Sequence, residues 1–204
     1  METNTTDLSA FGIVGKGISI GLKNSLSLIG AVVLWILTIW VPYINVGTTI
    51  GLIASVIAMS RGDIMSPLEI FNSRYRRYMG EFFLLMGIRQ LGIFMGYLFF
   101  VIPGIVISIA WSMSIYLLID KRLNPLEALK VSNDITYGHK WNIFFGYFIL
   151  VMIYMLLFGL LMVLGSAIGF GLITILMILL VLLFVPVMLG ATAHVYSVLG
   201  KKVA

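Results

Sequence analysis

FFLLMGIRQLGIFMGYLFFVIPGIVISIAWSMSIYLLID, residues 82–120, carries one cation, Arg89, before it reaches Asp120. A helix crosses the hydrocarbon of a bilayer in about 20 residues. These 39 residues are therefore too long for one crossing and match two. Pro103-Gly104 near the middle predicts the turn, giving spans of 82–101 and 105–119. The same reading continues outward. Residues 141–163 and 172–189 form a second hairpin, turned at GSAIGFG (165–171), where small residues disfavour a continued helix. Residues 25–40 and 46–60 form a third, turned at VPYIN (41–45). Its arms are short, so it either extends back through Ile18 or is re-entrant.

Composition agrees. Of 204 residues, 61% are hydrophobic and 10% charged, with a mean hydropathy of +1.11, against roughly 45–50% and 25% in soluble domains. Cysteine is absent, which removes disulfides, thiolate metal sites and thiol nucleophiles. The opening METNTTDLSA has acids and no basic residue, so a cleavable signal is not expected, and the first hydrophobic span is expected to be an uncleaved anchor.

Between the hairpins a charged phrase appears twice: SPLEIFNSRYRRYMG from Ser66 and NPLEALKVSNDITYG from Asn124. A capping residue, a proline at the first helical position and a glutamate at the third form a helix start with a capping box. Apolar residues recur behind each at steps of three and four, so both are read as amphipathic helices lying on the membrane surface. Residues 8–23 are a weaker, glycine-rich third copy. The expected architecture is a single all-α membrane domain, 1–204, of six transmembrane helices arranged as three hairpins, each preceded by an interfacial helix. The repeats run 8–62, 63–121 and 122–204.

Of the 13 lysines and arginines, all but Arg89 fall on the side of the termini in that arrangement. By the positive-inside rule this side is cytoplasmic, and the expected location is a bacterial inner membrane, with both termini in the cytoplasm. The net charge of +5 then points to anionic lipid headgroups as partners. Nucleic acid is not expected.

Several residues are candidates for function. Arg89, followed by Gln90, is costly inside a bilayer and marks either a binding or conduction site or a side chain that snorkels or pairs with Glu81. Arg74, Arg76 and Arg77, together with Lys130 and Lys140, are candidates for lipid headgroups. Gly47 and Gly51, Gly92 and Gly96, and Ser108 and Ser112 are small residues four apart, the spacing that lets membrane helices approach closely. They serve either the monomer interior or an interface between copies. Ser108, Ser112 and Ser114 do not share one face and are expected to bond to their own backbone. His194 is either a pH sensor or an interfacial packing residue. His139-Lys140-Trp141 reads as an interface belt, and Trp35 and Trp40 as depth markers at the opposite end. No metal-ligand spacing, nucleophile elbow or phosphate-cradling loop is present in the sequence, so neither an enzymatic activity nor a cofactor is expected.

Residues 101–150 resemble the membrane domain attached to some glycerophosphodiester phosphodiesterases and its stand-alone bacterial relatives of unknown function. The matching features are Ile-Pro-Gly at 102–104, Leu-Ile-Asp at 118–120, Glu127-Ala128-Leu129-Lys130 with Ser132, and Gly138 leading to aromatics. The resemblance implies a six-span bacterial membrane protein and transfers no catalysis, which belongs to a separate soluble domain. Two functions fit: first an oligomeric assembly with a channel or transport role for a small solute or ion, and as the alternative a lipid-interacting scaffold or accessory subunit.

Overall fold

The computed structural model describes residues 8–168 and 170–203, with side chains at 165–170 excepted. Every element among them is helical. The α-helices are α1 Ala10–Lys23, α2 Ser25–Leu37, α3 Pro42–Ser60, α4 Met79–Phe99, α5 Val101–Ala110, α6 Ser114–Lys121, α7 Pro125–Thr136, α8 Lys140–Ile168 and α9 Phe170–Leu199. Short 3-10 turns cover Pro67–Phe71, Ser73–Tyr78 and Gly200–Lys202. Five helical stretches are long and apolar enough to cross a membrane, and six if α1 and α2, bent by 76° at Asn24, count as one.

The longest pair, α8 and α9, is antiparallel: the Tyr147 hydroxyl bonds to Thr192 at 2.8 Å, while Tyr154 meets the Phe184 ring at 4.2 Å. Only 6% and 11% of their most apolar windows are buried within the molecule. An apolar face of that size is sustained by lipid rather than water. The turn expected at 165–171 centres on side chains outside the described residues.

Two boundaries differ from expectation. The chain reverses after α4 at Phe100, whose backbone is extended, and Pro103 and Gly104 sit inside the first turn of α5. There a proline removes no helical hydrogen bond, because the first amides of a helix have no partner within it. Pro42 likewise begins α3 instead of belonging to a turn that reaches residue 45. A polar knot holds that corner: Trp35 Nε1 donates to Thr49 at 2.8 Å, and Asn45 Nδ2 donates to Thr38 at 3.2 Å.

The two charged phrases also fold differently. Asn124 caps α7 as expected: its Oδ1 accepts from the Glu127 amide at 2.9 Å and its Nδ2 donates to the Glu127 carboxylate at 3.1 Å. In the first copy Ser66 makes no side-chain cap, and the backbone forms two 3-10 turns instead of one α-helix. Asn72 divides them, its side chain accepting from the Arg74 amide at 3.1 Å. A short polar side chain competes in this way with helical bonding. Glu69 pairs with Arg74 at 2.7 Å and leaves Ser66 uncapped.

The N-terminal helix α1 packs against α8 and α9. A Cβ added to Gly17 would lie 2.8 Å from that of Ala191, and one on Gly190 would lie 2.5 Å from the Gly21 amide. The glycines that lower helix propensity thus permit close approach.

The fourth predicted span is broken at Trp111–Met113, between α5 and α6. Buried Ser132 of α7 bridges the gap: its hydroxyl accepts from the Met113 amide at 3.1 Å and donates to the Ala110 carbonyl at 2.7 Å. Interrupted helices are tolerated in membrane proteins when such partners satisfy the freed backbone. The serines of this span bond to their own chain, Ser108 to Ile105, Ser112 to Ile109 and Ser114 to Trp111.

Candidate functional site: an arginine-lined cavity

The end of α3 and the end of α6 meet. Past Ser60 the chain turns through Arg61 and Gly62, the latter at φ +91°, a conformation that favours glycine. Arg61 forms an ion pair with Asp120 near the end of α6. The second oxygen of Asp120 accepts a 2.7 Å bond from the Tyr196 hydroxyl of α9. Two residues after Asp120, Arg122 adopts a left-handed backbone, φ 54°, at a steric cost of about 1–2 kcal/mol for a residue with a Cβ. That cost sets its side chain beside the same junction.

The 3-10 turns complete the wall. A cavity of about 420 Å³ is lined by Arg61, Arg74, Arg77 and Arg122, with Asp63 and Asp120 the acids among its lining residues. Arg74 is held by Glu69 and by the Tyr75 hydroxyl at 2.8 Å. Arg77 and Arg122 form no ion pair among the described residues. Four guanidinium forks stand against three carboxylates, Asp63, Asp120 and the Glu69 that pairs with Arg74, and leave a positive hollow of the size that takes a small ligand. Planar guanidinium groups match the geometry of phosphate.

The predicted residues divide around this site. Arg74 and Arg77 reach it, whereas Arg76 turns away, its guanidinium 5.9 Å from the Tyr43 ring and its stem against Gly47. Lys130 is exposed on α7, and Lys140 donates to Asn133 at 3.0 Å. Arg89 is half-buried on α4; its Nε is buried without a hydrogen-bond partner among the described residues, with Tyr116 near enough to interact with its charge. Glu81 and Gln90 are exposed, and Glu81 does not pair with Arg89. His194 is buried near the end of α9.

The small residues lie at contacts within the chain. A Cβ on Gly51 would come 2.7 Å from Ile70 Cα, one on Gly96 would come 3.0 Å from Gly104 Cα, and Gly92 faces the Trp111 ring. Ser112 lies in the break after α5, so Ser108 and Ser112 do not form one continuous helical ridge. Sequence reasoning counted Arg61 and Arg122 only as topological charges and missed their convergence with Asp120 and Tyr196. The available signal was the cluster Asp120-Lys121-Arg122 at the end of an apolar run.

No family model, curated protein or solved structure matches the chain. The resemblance over residues 101–150 rests on its own residues.

Proposed function

We propose that this chain is a non-enzymatic, multi-pass protein of a bacterial inner membrane that holds the phosphate of an anionic lipid headgroup in its arginine cavity. The observation that carries the reading is the convergence of Arg61, Arg74, Arg77 and Arg122 on one cavity, with Arg77 and Arg122 outside any described ion pair. Near an anionic surface each basic residue is worth about 1 kcal/mol. The test is lipid retention in detergent, read by native mass spectrometry. Phosphatidylglycerol should be retained over phosphatidylcholine, and Arg77→Gln with Arg122→Gln should abolish the preference. Equal retention of the two lipids by the wild-type protein sinks the reading.

The same contacts favour a different path for the first hairpin. Ile70 lies against Gly51 and Arg76 against Gly47, so the arginine-bearing turns run beside the N-terminal half of α3. Were α3 to stand across the bilayer, Arg76 would be carried towards hydrocarbon at about 2.5–3.5 kcal/mol, whereas Arg74 and Arg77 stay at the Arg61 end of α3. An α3 lying at the interface avoids that cost, with α4, α5–α6, α8 and α9 as the spans. A single cysteine replacing Asn45 tests this. Labelling from the cytoplasmic side supports the interfacial path, and labelling from outside restores six spans.

A second reading, a solute-conducting homo-oligomer, draws on the buried Nε of Arg89, which has no hydrogen-bond partner among the described residues. Reconstituted vesicles should then leak ions or osmolytes, and Arg89→Ala should change the leak. Vesicles that stay tight remove it.

A further inference from the structure

The Arg61–Asp120 pair has a cavity on each side. The second, about 330 Å³, is lined by Ser60, Lys121, Tyr196, Ser197 and Lys201, and shares Arg61 and Asp120 with the first. Both oxygens of Asp120 are engaged, one by Arg61 and the other by Tyr196. Its charge offsets that of Arg61, so the excess positive charge rests on Arg77 and Arg122 in the first cavity and on the lysines in the second. In the second cavity Lys201 is exposed and forms no ion pair among the described residues, and Lys121 donates to the Val203 carbonyl at 2.7 Å. That carbonyl is neutral, so the charge of Lys121 is likewise uncompensated. Two adjoining hollows thus each carry excess positive charge, guanidinium on one side and ammonium on the other, joined through one arginine.

We propose that the two cavities together bind a single lipid carrying two phosphates, one phosphate in each, with the linker between them passing Arg61. The proposal rests on the anionic-lipid reading and names the ligand class within it. A lipid with one phosphate fills one hollow and leaves the other cationic. A diphosphate lipid meets both sets of charges at once, and its second phosphate binds at the high effective concentration set by the short linker.

The test uses full-length protein in phosphatidylcholine nanodiscs, titrated with phosphatidylglycerol or with diphosphatidylglycerol. Wild-type protein should bind the diphosphate lipid about 10- to 30-fold more tightly. Lys121→Gln with Lys201→Gln should bring that lipid to the level of phosphatidylglycerol and leave phosphatidylglycerol unchanged. Lys201→Glu alone, at an exposed position, should act in the same direction if the double variant fails to fold. Equal binding of the two lipids by wild-type protein, or indifference of the diphosphate lipid to the lysine variants, overturns the proposal while leaving the arginine cavity standing. Binding of neither lipid above phosphatidylcholine removes the underlying reading as well. Inorganic pyrophosphate is the competing arm: if it displaces the lipid at equal concentration, the ligand is a soluble diphosphate and the lipid assignment fails.

Discussion

Asp120 accepts from Arg61 and from Tyr196 at once, so one carboxylate near the end of α6 ties together the end of α3 and the last turns of α9. Its side chain is 10% exposed, and that of Arg61 is 59% exposed. The energetic weight therefore sits on the acid. Asp120→Ala should destabilise the protein by about 1–3 kcal/mol, chiefly by leaving the Tyr196 hydroxyl without its acceptor. Arg61→Gln should cost less than about 1 kcal/mol, because its side is solvated. Thermal unfolding in detergent ranks the two, and a larger loss for Arg61→Gln would contradict the geometry.

Ser132 supplies two of the bonds that close the break between α5 and α6, and the Thr136 hydroxyl adds a longer one to the Ala110 carbonyl at 3.4 Å. Ser132→Ala leaves a buried amide and a buried carbonyl with one partner fewer, at about 1–3 kcal/mol. Hydrogen exchange should accelerate at the Met113 amide more than in the middle of α4. Uniform acceleration would mean that the break is held by something else.

The glycines separate into contacts and open positions. Gly51→Ala would press its methyl against the Ile70 backbone at 2.7 Å, and overpacking of this kind costs about 1–3 kcal/mol. At Gly87, in α4, a Cβ would meet nothing within 4 Å, so Gly87→Ala should be neutral or stabilise by up to about 1 kcal/mol. Melting temperatures should move in opposite directions, or in one direction only for Gly51→Ala.

His139 carries the expected pH dependence. Burial, then the nearby Lys202 ammonium, holds its pKa below the ordinary 6.5. The folded state therefore favours neutral imidazole. The contribution is full above the unfolded pKa and is lost as the pH falls below it towards the depressed folded value. Between pH 7.5 and 5 wild-type protein should lose more stability than His139→Gln. Parallel curves would show that the ring titrates normally.

How much of this was legible follows from the range of the forces involved. The cap of Asn124 on Glu127 was readable because donor, acceptor and spacing lie within one turn. The apolar runs that become α4, α8 and α9 were readable because a bilayer imposes length and hydropathy on each segment separately. The first charged phrase misled because Asn72, a residue inside the stripe pattern, bonds locally to Arg74 and breaks the helix. The interruption after Ala110 was hidden because its compensation, Ser132, comes from another helix. The cavity was hidden for the same reason: Arg61, Arg74 and Arg122 come from three separate segments, and no periodicity links them. Glycine at positions 17 and 21 read as weak helix, whereas its role is the contact with Ala191 and Gly190.

The lengths of α8 and α9 have a mechanical consequence. At 29 and 30 residues each is about 45 Å long, whereas bilayer hydrocarbon is about 30 Å thick. Each must tilt or stand partly outside it. Tyr196, which bonds to Asp120, lies near the C-terminal end of α9. A helix longer than the layer around it leans further as that layer thins, and here the leaning helix ends at the partition between two cavities. Thinning of the layer around α9 would then be felt at Tyr196 and at the carboxylate it holds.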